Sequence, residues 1–448
     1  MVISDFKVLE RIIKPKKIKN IYYFKPIVGF SIDSRSIKEN EAFIALKGKY
    51  KDGHNFVNDA IKRNASLVIS EREVSLNKNI PNFIVDSTYS SLKQIIRYIR
   101  DKKRKMNVIA IAGSVGKTTT KEMTAFLLEE NFKILKNYKS ENNLLGVAKT
   151  FFSIKDEDVL VIELGTNRRG EIEELTELVY PDIGIITFIK PVHLQGLGSL
   201  KDVFNEKISL LKINKDIKAV LNIDDYYLRK VNFCKVYWFG KNKKANLYAK
   251  LLKRTDNNCI FKVNDNFLLS LASPFDGFIY NALASMLASS IFKIDIEYLA
   301  DRISNFRFPQ FRMQIDKING FLIFNDAYNA NPYSFSESLK LLRRFKNRKI
   351  IVIGDMLELG DYSKYYHKIL ADKISCCDFE YCLGLGEHIK YTIDKLKKYG
   401  YNNVRHFSSH TEIAKFIKRR AKKDWMIFLK ASRSIGLEKI IDLLKEQK

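Results

Sequence analysis

The stretch IAIAGSVGKTTTKEM, Ile109 to Met123, decides the fold. Its apolar start reads as a buried strand, Gly113 and Gly116 bracket a tight turn, and Lys117 with the following threonines opens an amphipathic helix. A strand that runs through glycines into Gly-Lys-Thr is a phosphate cradle. The first backbone N–H groups of a helix lack partners within it and, with the helix dipole, face an anion at that end. Lys117 neutralises the outer phosphates there, and the Thr118 hydroxyl is placed to ligate Mg²⁺. The loop Gly113, Ser114, Val115, Gly116, Lys117, Thr118 and Thr119 is therefore expected to hold the β- and γ-phosphates of a nucleoside triphosphate. The full GxxxxGK[ST] pattern is not met, because Ile111 occupies the place of its first glycine.

On either side of this unit the chain repeats one theme. The runs NVIAIAG, VLVIELG, DIGIITFI and AVLNIDD are apolar, bounded by Gly, Asp or Pro, and separated by stretches of helical period. Strands apolar on both faces and joined by helices make a parallel sheet. A second set, GFLIFNDA, KIIVIGD, FEYCLGLG and WMIFLKAS, repeats the pattern after about Phe306. Before Asp101 the strands are shorter and the glycines denser, as in EAFIALKGKYKDGHNF. Three α/β domains are expected, over residues 1–100, 101–305 and 306–448, with a basic linker at Asp101–Lys105 and a second linker at Asn305–Met313. A chain of 448 residues is long enough for several cores.

Composition narrows the class without choosing the chemistry. With 46% hydrophobic and 29% charged residues the chain is that of a folded globular protein. The formal charge of +27 is spread along the whole sequence in short runs such as Lys14–Lys19, Lys102–Lys105 and Lys241–Lys244. That scatter describes solvated faces rather than a nucleic-acid footprint, and no nucleic-acid partner is expected. Five cysteines without CxxC spacing indicate neither a disulfide framework nor a zinc knuckle, and fit a reducing cytoplasm. No basic segment followed by an apolar core opens the chain, and no run of about 18 apolar residues occurs, so neither export nor a membrane partner is expected.

Two further residues stand at strand ends beside the phosphate loop. Glu163 closes VLVIELG, where an α/β sheet places metal carboxylates, and is a candidate Mg²⁺ ligand. His193, in PVHLQGLGS, follows the next strand and reaches the same edge.

Taken in order, GSVGKTTTKE, ELGTNRRGEI, HLQGLGS, NDAYNANP, GDMLELG and KASRSIGLE resemble the Mur ligase family, and YNANP with GDMLELG resemble its D-alanyl-D-alanine-adding branch. The resemblance covers nearly the whole chain. It implies a central P-loop ATPase domain with a mainly parallel sheet, an N-terminal α/β domain for a UDP-sugar and a Rossmann-like C-terminal α/β domain. It further implies a monomeric cytoplasmic ligase that spends ATP to couple D-Ala-D-Ala to a UDP-N-acetylmuramoyl-tripeptide through an acyl phosphate.

Residue by residue, the resemblance implies that Thr118 and Glu163 hold a first Mg²⁺ and His193 helps hold a second. Lys207 matches a lysine that the family often carbamylates; unmodified, it reads as one more surface lysine. Lys117, Glu163, His193 and Lys207 are thus the implied catalytic group. Asn281 would lie near the nucleoside or, equally, on a small-residue packing face, and Gly277 replaces a family histidine four residues earlier. Arg312 and Asp326 would reach ATP from the far side of the cleft. Asn142, Asn143, Tyr328, Asn329, Asn331, Lys430, Ser432 and Arg433 would face the substrates, and Asp33, Ser34, Arg35 and Lys47 would cradle the UDP-sugar. Asp355 reads either as a loop residue or as a contact. Ser140 stands where the family has asparagine, Ser209 where it has an acidic residue, and Ala431 where it has glycine. The rival readings are a sister ligase with another acceptor, an NTPase stimulated by nucleic acid, and a nucleotide-binding protein that has lost catalysis.

Overall fold

The computed structural model describes residues 2–76, 79–233 and 235–446, so Cys234 lies outside the described residues. Three sheets follow one another along the chain. The first has five strands; Gly29–Ser31, Glu41–Ile44, Leu67–Ser70 and Asn82–Ile84 are parallel, and Lys17–Lys19 adds an antiparallel edge. The third has six, with only Gln314–Ile318 antiparallel to its neighbour.

The second sheet carries the phosphate loop. Its parallel strands run in the order Leu247–Arg254, Val236–Gly240, Lys218–Asn222, Ile183–Ile186, Asn107–Ala112, Val159–Glu163, Ile134–Lys136. Asn107–Ala112 therefore lies between the strands that end at Glu163 and Ile186, which brings three chain reversals to one sheet edge. All eight apolar runs identified in the sequence are strands. An antiparallel extension, Cys259–Val263 and Phe267–Leu271, was not expected.

The strand Asn107–Ala112 shows why the two-sided apolar pattern is needed. Ile109 and Ile111 enter a core shared with the helix Lys117–Leu128 and, further on, with the third sheet through Ile351 and Phe428. Val108, Ala110 and Ala112 enter a core on the opposite face that continues to Leu9, Ile95 and Phe83 of the first unit. Each flanking sheet is thus anchored to a different face of the central one. Shortening Ile109 or Ile111 to Ala is expected to cost about 2–5 kcal/mol. The helix Thr88–Lys102 seals the first unit to the second: buried Arg100 donates to the carbonyls of Val179, Met106 and Tyr180 at 2.9–3.1 Å. The basic stretch Asp101–Lys105 is the end of this helix and its turn.

Candidate active site

The strand-to-helix turn has the shape its glycines require. Gly113 sits at φ 136° and Gly116 at φ 87°, both in the region that side chains rarely adopt. A Cβ on Gly113 would strike the Thr187 hydroxyl, and one on Gly116 would strike the Asn281 amide. The turn is thus made by Gly113, inside the loop, and Ile111 remains a core residue of the strand. Ser114 fixes the outer wall, donating to Lys190 O and accepting from Lys190 N, both at 2.9 Å. Lys117 Nζ reaches back over the loop to Gly113 O at 3.0 Å. Burial lowers its pKa, and the Glu163 carboxylate opposes that shift.

Thr118 and Glu163 meet across the adjacent strand ends, the hydroxyl donating to Oε2 at 2.7 Å. Asn142 Nδ2 donates to the other carboxylate oxygen at 2.7 Å. The Glu163 backbone is clamped on both sides by Asn137, whose side chain accepts from Glu163 N and donates to Glu163 O. Asn137 is in turn held through its carbonyl by the buried ammonium of Lys121, one helical turn after Lys117, at 2.6 Å. Two oxygen donors side by side at the mouth of a phosphate loop fit Mg²⁺, which keeps waters and takes its remaining ligands from phosphate oxygens.

His193 begins the short helix Leu194–Leu197 in a left-handed conformation, φ 52°. Its Nδ1 lies 2.6 Å from Oε2 of Glu358, a residue of the third unit; the oxygen stands off the line of the ring N–H, so the contact is one of proximity rather than an aligned hydrogen bond. Burial lowers the His193 pKa, and contact with His193 lowers that of Glu358. Lys207, on the helix Leu200–Ile208, is completely buried and its Nζ has no hydrogen-bond partner among the described residues. Burial, reinforced by nearby Lys117, drives its pKa well below the ordinary lysine value.

The phosphate loop, Glu163 and His193 open onto one cavity of about 890 Å³ between the second and third units, which neither Lys207 nor Glu358 lines. Ser114 to Thr119, Asn142, Asn143, Glu163, His193 and Asn281 line it from one side, and Arg312, Asp326, Tyr328, Asn329, Asn331 and Lys430 from the other. Asn281 braces the loop from beneath, its Nδ2 donating to Gly116 O and Thr120 Oγ1. Arg312 stacks its guanidinium 4.0 Å over the Tyr328 ring. The Tyr328 hydroxyl touches Ser140, whose hydroxyl lies 3.3 Å from that of Thr118, so a chain of hydroxyls crosses from the third unit to the loop.

Asp326 is spoken for within its own unit. Its carboxylate accepts from Ser338 at 2.6 Å, from the Met313 amide and from the fully buried ammonium of Lys430. Asn143 and Asn331 each cap a helix, Asn331 in a capping box before Pro332. Ser432 accepts from the Leu357 amide, and Arg433 pairs with Glu438 while its guanidinium lies 5.7 Å from the Phe311 and Tyr328 rings; neither lines the cavity. Asp355 takes the loop role, accepting from the amides of Glu387 and Ile389.

In the first unit Asp33, Ser34, Arg35 and Lys47 lie on loops apart from this cavity. Asp33 and Arg35 form a two-pronged pair of 2.7 and 2.9 Å that holds the Asp33 carboxyl at about 2. The cavity instead reaches toward the first unit through Tyr89 and Lys93 of the bridging helix.

Beside the loop stands an aromatic wall. Phe188 packs against Tyr280 with ring centres 5.0 Å apart and against Tyr333, from the third unit, at 5.8 Å. Lys190 sits over Phe188 and Tyr333, and Lys241 over Tyr280. Where the family resemblance leads one to expect a histidine, Gly277 leaves no room for a side chain, because a Cβ there would meet the Phe275 ring.

Sequence reasoning passed over Asn137, Lys121, Glu358 and this wall. Glu358 lies inside the quoted GDMLELG, and an acidic residue ahead of its last glycine was a usable signal; nothing local marks Asn137 or Lys121.

Comparison with known proteins bears on the family and the fold. Residues 26–117 match the model described as Mur ligase family, catalytic domain; residues 111–289 match the Mur ligase middle domain; and 311–433 match the Mur ligase glutamate ligase domain. The UDP-N-acetylmuramoyl-tripeptide--D-alanyl-D-alanine ligase of Buchnera aphidicola subsp. Baizongia pistaciae is 33% identical over 94% of this chain and 93% of its own. That of Bacillus subtilis is 28% identical over 96% of each. The crystal structure of MurF ligase from Thermotoga maritima in complex with ADP superposes with a TM-score of 0.83 at 26% identity, over 93% of this chain and 97% of that one. MurF from Acinetobacter baumannii shares the fold at a TM-score of 0.89 and 23% identity, over 99% of both chains. This chain belongs to the Mur ligase family, within its MurF group.

Proposed function

We propose that the protein joins D-alanyl-D-alanine to a UDP-N-acetylmuramoyl-tripeptide at the expense of ATP, in the cytoplasmic synthesis of peptidoglycan precursors. The observation that carries this reading is the single cavity onto which the phosphate loop, the Thr118–Glu163 pair and Arg312 of the third unit all open. The tripeptide carboxylate attacks the γ-phosphorus and ADP departs; the dipeptide amine then attacks the acyl phosphate carbon, and inorganic phosphate departs. The amine proton leaves to solvent.

The difficulty is bringing one anion onto another, so the protein's work is positioning and electrostatics. Lys117 and Arg312 supply positive charge on opposite sides of the cavity, and the helix start at Lys117 supplies oriented N–H groups. Thr118 and Glu163 would hold Mg²⁺, with His193 at a second position; bound Mg²⁺ offsets charge on the phosphate oxygens. No protein nucleophile is needed. Tyr328, Asn329 and Asn331 are the proposed substrate contacts of the third unit, and Asp33, Ser34, Arg35 and Lys47 those of the first. Lys430 acts by holding Asp326 and the Asn329 carbonyl. The three sheets are read as three domains dividing near residues 100 and 305.

A carbamate on Lys207 belongs to the same proposal, although the comparisons lend it nothing. Its support is the buried, unpartnered amine with a depressed pKa, the state in which a lysine reacts with CO₂. An added mass of one CO₂ on the intact protein tests it. The chain is proposed to act as a monomer, since one chain supplies every wall of the cavity; light scattering tests that.

The deciding assay supplies ATP, Mg²⁺, UDP-N-acetylmuramoyl-tripeptide and D-Ala-D-Ala. Phosphate release that requires both acceptors, with a new peptide bond in the mass spectrum, is expected. Release driven instead by single amino acids or by nucleic acid would replace this reading with a rival.

A further inference from the structure

His193 and Glu358 are both non-glycine residues in the left-handed region, φ 52° and φ 65°, and they meet across the boundary between the second and third units. Backbone conformations of this kind persist only where the surroundings over-determine them. Here two independent contacts do so. The Glu358 carboxylate lies 2.6 Å from His193 Nδ1, and the Glu358 carbonyl accepts from the Gln195 amide at 3.1 Å. Gly360, at φ 55°, packs so tightly on the same helix that a Cβ would stand 3.0 Å from Gln195 Cα. A loop of the third unit is therefore seated on the helix that His193 begins, by side chain and backbone together.

We propose that Glu358 is a positioning residue for ligation: it latches the third unit onto the second and fixes the place of the His193 ring at the start of the helix Leu194–Leu197. Neither role calls for Glu358 to touch a reactant, and it does not line the cavity. The inference rests on the reading above, that the cavity takes ATP and the domains close on it.

The test uses the full chain and compares Glu358→Ala, Glu358→Gln and His193→Ala with the double variant. The expected result is a fall of about 10- to 100-fold in kcat for Glu358→Ala, with the KM for ATP changed less than threefold. Glu358→Gln, which keeps an acceptor oxygen, is expected to recover part of the loss. The double variant is expected to be no slower than His193→Ala alone, because the two residues act as one unit.

Small-angle scattering supplies a readout independent of turnover. The unaltered chain is expected to be more compact than Glu358→Ala, both alone and with Mg²⁺ and ADP. Equal compactness of the two, or losses in kcat that multiply in the double variant, would overturn the latch. Absence of ligation by the unaltered chain would instead overturn the ligase reading, and the scattering comparison would still decide the latch.

Discussion

The Thr118 hydroxyl donates to Glu163 Oε2 at 2.7 Å, joining the first turn of the phosphate-loop helix to the end of the neighbouring strand. A hydroxyl and a carboxylate so placed can share one divalent cation or, without it, one proton. Glu163→Gln keeps the shape and removes the charge. It is expected to lower kcat by at least about 100-fold, on the scale of losing one preorganised electrostatic group, and to shift the Mg²⁺ dependence to higher concentration. A Mg²⁺ titration of initial rates checks this; an unchanged Mg²⁺ midpoint would remove Glu163 from the metal site.

Burial of Lys207 weighs against stability, and the role proposed for it would be the return. A completely buried amine without a hydrogen bond costs the fold either a desolvated charge or a lost proton. Lys207→Met fills the same volume with neither cost and is expected to stabilise the protein by about 1–3 kcal/mol at pH 7, while abolishing ligation.

The sign with pH follows from linkage. The folded-state pKa of Lys207 is depressed, so between that value and the ordinary 10.5 the unfolded chain binds more protons and stability rises with pH. The advantage of Lys207→Met should therefore shrink as pH climbs toward 10. Urea midpoints at pH 7 and 9.5 in CO₂-free buffer measure it; an advantage that grows with pH would contradict the burial account.

Much of this was legible in the residues. Apolar runs bounded by Gly, Asp and Pro became parallel strands because a strand buried on both faces leaves no polar position to disguise it, as Ile109 and Ala110 show in opposite cores. Gly113 and Gly116 announced the turn, since little else tolerates φ values of 136° and 87°. What the sequence hid is contact between distant segments. Nothing local links Asn137 to Glu163, Glu358 to His193, or Asp326, which lines the cavity, to Ser338 and Lys430. The antiparallel strands Cys259–Val263 and Phe267–Leu271 escaped notice because polar and charged residues interrupt their surroundings, as in RTDNNC and NDNF.

The aromatic wall of Phe188, Tyr280 and Tyr333 lines the same cavity as the phosphate loop and offers ring faces on which a nucleotide's base can stack. Stacking on such faces is worth about 1–3 kcal/mol per base. Tyr333→Ala is therefore expected to weaken ADP binding by about 5- to 100-fold while leaving pyrophosphate binding within twofold, and Tyr333→Phe should restore ADP. Calorimetric titration with the two ligands separates these outcomes; equal losses for both would place Tyr333 at the phosphates or in the fold.

Asp326 and Lys430 form a buried ion pair at the floor of the third unit, with Lys430 1% exposed and its pKa lowered by burial. Removing one partner strands the other charge. Asp326→Ala should thus cost about 3–5 kcal/mol, whereas replacing both residues by Leu and Met should cost clearly less, because the desolvation penalty disappears with the charges. Urea unfolding of the single and double variants measures the difference. A double variant at least as unstable as Asp326→Ala would show that the pair's hydrogen bonds to Ser338 and the Asn329 carbonyl, rather than its charge balance, hold the turn that carries Tyr328 and Asn329.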